Sequence, residues 1–147
     1  MILWYVGTKV LTHGAGGVVA TFEEFDRGAV TNAGFHHEDH VRIAFELLVR
    51  DEFDVALARF TGRLRAMAAA SGHAEKFHMT VTVAFMAAIG ERLAQHGTVP
   101  WEEFARRNRD LLDRAFVRGL YSAAQLESEV ARRTFVLPRR RGTPCAV

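Results

Sequence analysis

Residues 35–40 read FHHEDH, so three histidines fall within six positions. Neutral imidazole nitrogens bind transition metals, and imidazole gains and loses a proton near pH 7. Histidines at this spacing are therefore candidates for metal binding or for acid–base catalysis. The alternative is a solvated helix start that happens to be rich in histidine, since Glu38 and Asp39 are acids that favour the first turn of a helix.

The run VRIAFELLVR, which follows the cluster, has apolar residues at helical spacing. On a helix that turns about 100° per residue, His37 and His40 lie about 60° apart on the apolar side, beside Ala44. His36 falls at the rim of that side. The opposite side collects the polar residues Asp39, Arg42, Glu46 and Arg50. We therefore predict that His37 and His40 point into the protein.

A second stretch, AEKFHMTVTVAFMAAIGERLAQH, predicts the longest and most apolar helix of the chain, closed by Gly97. On this helix His78 shares its face with Phe85, and both Glu75 and Thr82 lie within about 60° of it. We therefore predict that His78 also points inward, with one carboxylate and one hydroxyl as neighbours.

If the two helices share one interior, that interior holds three imidazoles, and a bound cation would satisfy them together. Two histidines at i and i+3 plus a residue from a facing helix is a common way for helical bundles to build a metal site. The predicted ligands are His37, His40, His78 and Glu75, and they suit a divalent transition metal such as Zn, Fe, Cu or Ni. An open coordination position would support Lewis-acid or metal-hydroxide chemistry on a small-molecule substrate.

Without a metal, His37 and His78 are predicted to act as a general acid–base pair, with Thr82 orienting a ring or the substrate. Each histidine also has a simpler interpretation, because a single inward histidine is more often a hydrogen-bonded core residue than a ligand. The HExxH motif is absent, and the ExxH spacing of diiron bundles occurs once, at Glu75 and His78. Three further histidines are predicted to be ordinary surface residues: His13, His73 and His96.

The chain has 147 residues, of which 49% are hydrophobic and 24% charged, as is typical of one globular domain with a substantial core. We predict a single helical domain over residues 1–138 and a basic, disordered tail over residues 139–147. The formal net charge is +2, and three positive charges belong to the run 139–141, so the body is close to neutral. Nucleic-acid binding is therefore expected only as a remote function of the tail.

The lone cysteine, Cys145, allows no internal disulfide and no cysteine-based zinc site, which indicates a reducing, cytoplasmic setting. The N-terminal run MILWYV is too short to span a membrane and lacks the basic flank of a signal peptide. It predicts a short strand or an irregular lead, and we expect no membrane association.

Boundary signals divide the rest of the chain into short helices. Thr21 with Glu24 and Ser122 with Gln125 form capping boxes. Further signals are a helical period over 54–71 that ends at Gly72, a helix start in TVPWEEF, and Asn108 as the cap of RDLLDRAFVRGL. Together they predict an all-α fold, a compact bundle of about five to seven helices whose body is the second, third and fourth.

A function of another class fits the same fold. A non-catalytic helical module would bind a partner, or a second copy of the chain as a homodimer, through aromatic side chains of its C-terminal helices. The residues that could form such a surface are Trp101, Phe104, Phe116 and Tyr121. Core packing is the alternative interpretation of these four side chains.

Five short motifs lie along the chain: FHHEDH at 35–40, KFHMT at 76–80, DLLDR at 110–114, LYS at 120–122 and ARRTFVLP at 131–138. In these motifs the chain resembles a group of small bacterial all-helical proteins of unassigned function. In that group an acid often follows the histidine of the second motif, whereas this chain has Met79 there. The resemblance implies the helical fold and names no substrate.

Overall fold

The computed structural model describes residues 21–139, and within this range the side chain of Asn32 is not described. The predicted N-terminal strand or lead, His13, Cys145 and the tail beyond Arg139 lie outside the described residues. The predictions made for those segments stay predictions.

The described part of the chain is built from α-helices and short 3-10 turns and contains no strand, which confirms the all-α fold. The helices are α1 (Phe22–Asp26), α2 (His37–Arg50), α3 (Phe53–Ala70), α4 (Met79–His96), α5 (Trp101–Arg107), α6 (Ala123–Glu127) and α7 (Glu129–Arg133). The 3-10 turns are Asn32–Gly34, Ala74–Lys76, Arg109–Leu112 and Arg114–Gly119. No helix in this range is both long enough and apolar enough to span a membrane.

Helix α2 lies at the centre of the bundle and packs against both α3 and α4, as predicted. Its residues Ile43, Phe45 and Leu47 are completely buried, and α4 contributes Met86 and Ile89 to the same core. Burying side chains of this size stabilises the fold by about 1.5–3 kcal/mol each. The three long helices therefore form the rigid frame that positions the histidines.

The polar side of α2 is covered as well, because α1 packs onto it. The guanidinium of Arg50 lies 3.8 Å from the centre of the Phe22 ring, and Arg59 of α3 pairs with both Asp26 and Asp51. Asp39 and Glu46, which the helical wheel places on the polar side, are both buried. Both sides of α2 are thus in contact with other parts of the protein.

Helix α4 begins later than its sequence predicts. Residues Ala74–Lys76 form a separate 3-10 turn, and His78 is the N-cap, with extended backbone angles. The Nδ1 atom of His78 accepts a hydrogen bond from the backbone N–H of Val81 at 3.3 Å and so takes the place of an ordinary polar cap. Glu75 therefore precedes the helix, and its predicted direction relative to His78 is wrong.

The sixth helix, predicted over 109–120, is wrong in a similar way, because two 3-10 turns replace it. Asn108 does not cap it. Its Nδ2 atom donates to the carbonyl of Phe104 at 2.8 Å, and its Oδ1 atom accepts from Arg92 at 2.8 Å. The carboxylate of Asp113 then bonds the N–H of Ala115 and interrupts any continuous helix.

The other predicted boundaries are confirmed. Both capping boxes form, at Thr21 and at Ser122. Gly72 and Gly97 follow the ends of α3 and α4 with φ of 74°, a backbone conformation that glycine adopts without strain.

The predicted aromatic surface of the C-terminal helices does not form. Trp101, Phe104 and Tyr121 are buried and Phe116 is half-buried, and all four pack against the main core. The core interpretation of these side chains is therefore the correct one.

The last described residues are tied to the start of α4 by one side chain. Thr80 is fully buried, and its hydroxyl donates to the carbonyl of Thr134 at 2.9 Å and accepts from the N–H of Val136 at 3.1 Å. This hydroxyl thus fixes the extended segment that follows α7.

Candidate functional site at the start of helix α2

The first turn of α2 holds the histidine cluster. Asp39 accepts a hydrogen bond from the backbone N–H of His36 at 2.9 Å, which fixes the helix start at His37. The side chain of His36 is exposed, as the helical wheel predicts, and those of His37 and His40 are partly buried. The prediction that these two imidazoles point inward is confirmed.

His37 is held by one hydrogen bond and one ring contact. Its Nε2–H donates to the backbone carbonyl of Leu111 at 2.9 Å, and its ring meets Phe85 edge-on with centroids 4.9 Å apart. Because the carbonyl can only accept, this bond fixes the tautomer and leaves the lone pair on Nδ1. Within residues 21–139, Nδ1 of His37 has no hydrogen-bond partner.

Burial lowers the pKa of His37 below its ordinary value of 6.5, because a charged ring is poorly solvated there. The Leu111 carbonyl raises this pKa, the Arg114 guanidinium lowers it and the Asp113 carboxylate raises it, each with a smaller effect than burial. His37 is thus mainly neutral at pH 7, which is the state of a proton acceptor or of a metal ligand.

His40 lies between two aromatic side chains. Its ring centroid is 4.3 Å from that of Phe35 and 6.4 Å from that of Phe60, which it meets edge-on. Burial, together with smaller effects of the nearby His37 and Arg114 charges, lowers the pKa of His40 to about 4. The structure therefore places His37 and His40 one turn apart on α2 as two neutral imidazoles, within reach of the positive charge of Arg114.

His78 is placed differently, since both of its nitrogens are occupied. Nε2–H donates to the carbonyl of Leu126 at 2.7 Å, and Nδ1 accepts from Val81. In this arrangement His78 has no lone pair left for a metal or for a substrate proton.

Glu75, the predicted carboxylate ligand, is exposed, and its Oε1 atom lies 3.1 Å from Nδ1 of His73. Its position in the 3-10 turn before α4 directs it to solvent rather than to His78. Thr82 is buried, but its hydroxyl donates to the backbone carbonyl of His78 at 2.9 Å, so it does not orient an imidazole ring.

In the part of the chain that the structure describes, no three His, Cys, Asp or Glu side chains are grouped so that they could hold a metal ion. The four predicted ligands consequently separate into a His37–His40 pair, a capping histidine and a surface glutamate.

Glu46 is a feature that sequence reasoning missed. Burial raises its pKa to about 7, although the charges of Arg42 and Arg50 oppose this effect. Its spacing from both arginines is typical of surface ion pairs, so the sequence carries no signal that α1 covers it. The carbonyls of Leu111 and Leu126 were missed as well, because every residue carries the same backbone acceptor.

Comparison of the chain with family models, with curated protein sequences and with solved structures finds no match.

Proposed function

We propose that the His37–His40 pair is the functional site of this chain, where it binds a small polar molecule and exchanges a proton with it. The observation that carries the proposal is the one-sided hydrogen bonding of His37, whose Nε2–H is held by Leu111. A backbone carbonyl in this role orients the ring and fixes its tautomer, which prepares Nδ1 to accept a proton.

His40 has a supporting role in this proposal. With a pKa of about 4 it is neutral at pH 7 and cannot itself store a proton. It can still offer one N–H donor and one lone pair to a bound molecule. The positive charge of Arg114 near both rings favours a molecule with an electron-rich group, such as a carbonyl or a carboxylate.

A divalent transition metal, Zn, Fe, Cu or Ni, is the second candidate for the same pair. Two neutral imidazoles at i and i+3 on one helix are the donors that such metals prefer, and a carbonyl bond to the outer N–H of His37 is typical of metal-bound histidine. His78 and Glu75 are left out of this smaller ligand set. The single cysteine of the sequence supports a reducing, cytoplasmic setting as part of the proposal.

Histidine-specific modification tests the site. Diethyl pyrocarbonate modifies neutral imidazole nitrogens that carry an available lone pair, and peptide mass spectrometry measures its rate at each histidine. We expect His37 and His40 to react, and His78 to be protected because both its nitrogens are bonded. The exposed His36, His73 and His96 serve as internal positive controls. Protection of His37 and His40 equal to that of His78 would contradict the proposal.

Metal analysis decides between the two candidates. The metal content of the purified protein is compared between wild type and a His37→Ala/His40→Ala variant, with a His73→Ala/His96→Ala variant as the matched control. Stoichiometric metal lost only in the first variant supports the metal centre. Absence of metal from wild type, together with reactive His37 and His40, supports the proton-transfer site.

A further inference from the structure

A shallow cleft separate from the histidines lies where α3, α7 and the 3-10 turn Ala74–Lys76 meet. It has a volume of about 370 Å³ and is lined by Arg65, Ala74, Glu75, Phe77, Glu129, Arg132 and Arg133. Three arginines from two helices therefore line one small space. The lining carries two carboxylates as well, so it matters which of these charges are already paired.

Two of the five charges neutralise each other. Nε of Arg133 lies 2.6 Å from Oε1 of Glu129, one turn earlier on α7. The carboxylate of Glu75 is bonded to His73 instead of to an arginine of the cleft. Among residues 21–139, neither Arg65 nor Arg132 has a carboxylate within ion-pair distance.

These two guanidiniums are nevertheless held in place. That of Arg65 lies 4.8 Å from the centre of the Phe77 ring, a cation–π contact that uses none of its N–H donors in a hydrogen bond. Arg132 donates one N–H from Nη1 to the backbone carbonyl of Glu75 at 3.1 Å, which leaves four of its five donors. Both groups are oriented, and both keep donors for a further acceptor.

We propose that this cleft binds a phosphate group, with Arg65 and Arg132 as its two ligands. Guanidinium groups recognise phosphate through pairs of parallel N–H···O bonds, and a cleft between two of them supplies donors from two directions. The source is either inorganic phosphate or the phosphate of a small monoester. The site is independent of the His37–His40 pair and of the function proposed for it.

Calorimetric titration at constant ionic strength tests the proposal, with inorganic phosphate and phenyl phosphate as probes. We expect saturable binding, and an increase of about tenfold or more in Kd for Arg65→Gln and for Arg132→Gln. Arg65→Lys, which keeps the charge and loses the planar donor pair, should weaken binding as well. The matched control is Arg106→Gln, which removes an exposed arginine of α5 and should leave Kd unchanged.

Tighter binding of either probe identifies the source and supports the site. Absence of saturable binding to wild type at concentrations on the order of 10 mM overturns the proposal. An equal loss of affinity in Arg106→Gln overturns it as well, because net charge alone would then explain the binding. Circular dichroism of each variant establishes that its helices are intact before its affinity is compared.

Discussion

The starts of α2 and α4 each hold a histidine whose Nε2–H donates to a carbonyl of the C-terminal third of the chain. At α2 the bond of His37 to Leu111 leaves Nδ1 without a partner between residues 21 and 139, and the neutral His40 lies beside it. At α4 the second nitrogen of His78 caps the helix. The two histidines thus make nearly the same Nε2–H hydrogen bond but differ at Nδ1, whose lone pair is used in His78 and unused in His37. An unused lone pair is what a histidine needs to accept a proton or bind a metal.

The largest expected effect is a loss of stability, and it tests the structural role of His78. His78→Ala removes the donor to the partly buried Leu126 carbonyl and the N-cap of α4, so we expect a loss of roughly 2–4 kcal/mol in unfolding free energy. Urea denaturation measures it. His78→Asn, which can cap but is too short to reach Leu126, should recover about 1 kcal/mol. If His78→Ala is as stable as wild type, its two hydrogen bonds do not support the fold.

The next largest effect concerns His40 and is a pH dependence of the unfolding free energy. Since the pKa of His40 is about 4 when folded and 6.5 when unfolded, the unfolded chain binds more protons between these values. The contribution of His40 to the unfolding free energy is therefore fully present above pH 6.5. It is lost as the pH falls towards 4, by up to about 3 kcal/mol. A pH series of denaturation curves for wild type and His40→Leu measures this dependence. The same slope in the variant would assign it to another group.

Glu46 should give a pH dependence of stability whose sign is opposite to that of His40. Its folded pKa of about 7 lies above the ordinary value of 4.5, so its contribution to stability is present below pH 4.5 and declines as the pH rises to 7. In Glu46→Gln this decline in the unfolding free energy should disappear, a difference of up to about 3 kcal/mol. Denaturation at both ends of this range measures it, and an unchanged decline would mean that Glu46 is ionised in the folded protein.

His37→Ala should have a smaller effect on stability. It removes the bond to Leu111 and the contact with Phe85 but no helix cap, so we expect about 1–2 kcal/mol. A loss larger than that of His78→Ala would reverse the comparison and make His37 the structural residue. Matched urea denaturation curves of the two variants decide the order.

Glu75→Ala should have the smallest effect. Its carboxylate is exposed, so the melting temperature should not change. His73→Ala, which removes the partner of that carboxylate, is the matched control. A fall in metal content in Glu75→Ala would restore Glu75 to the site from which the structure separates it.

The sequence predicts those features that depend on periodicity within one helix. The apolar spacing of α2 places its buried apolar residues, that of α3 does so for Phe60 and Met67 but not for the exposed Val55, and the Thr21 and Ser122 capping boxes mark real helix starts. The inward direction of His37 and His40 follows from the same period, because both residues lie inside α2.

Features that depend on the competition between local and tertiary bonds were not predictable. His78 uses its ring to cap α4, and this shortens the helix and moves Glu75 off the predicted face. Asn108 bonds to Phe104 and Arg92 instead of capping the segment that follows it. The acceptors that decide the roles of His37 and His78 are backbone carbonyls, which no residue type reveals.

The hydroxyl of Thr80 has a consequence for proteolysis. This hydroxyl is hydrogen-bonded to both Thr134 and Val136. A cut on the N-terminal side of Thr134 would therefore release both partners and leave a buried hydroxyl without a hydrogen bond. A cut after Leu137 would spare both bonds. Limited digestion should therefore cut after the exposed Leu137 more readily than before Thr134, because the Thr80 hydroxyl holds the extended segment between these two points in place.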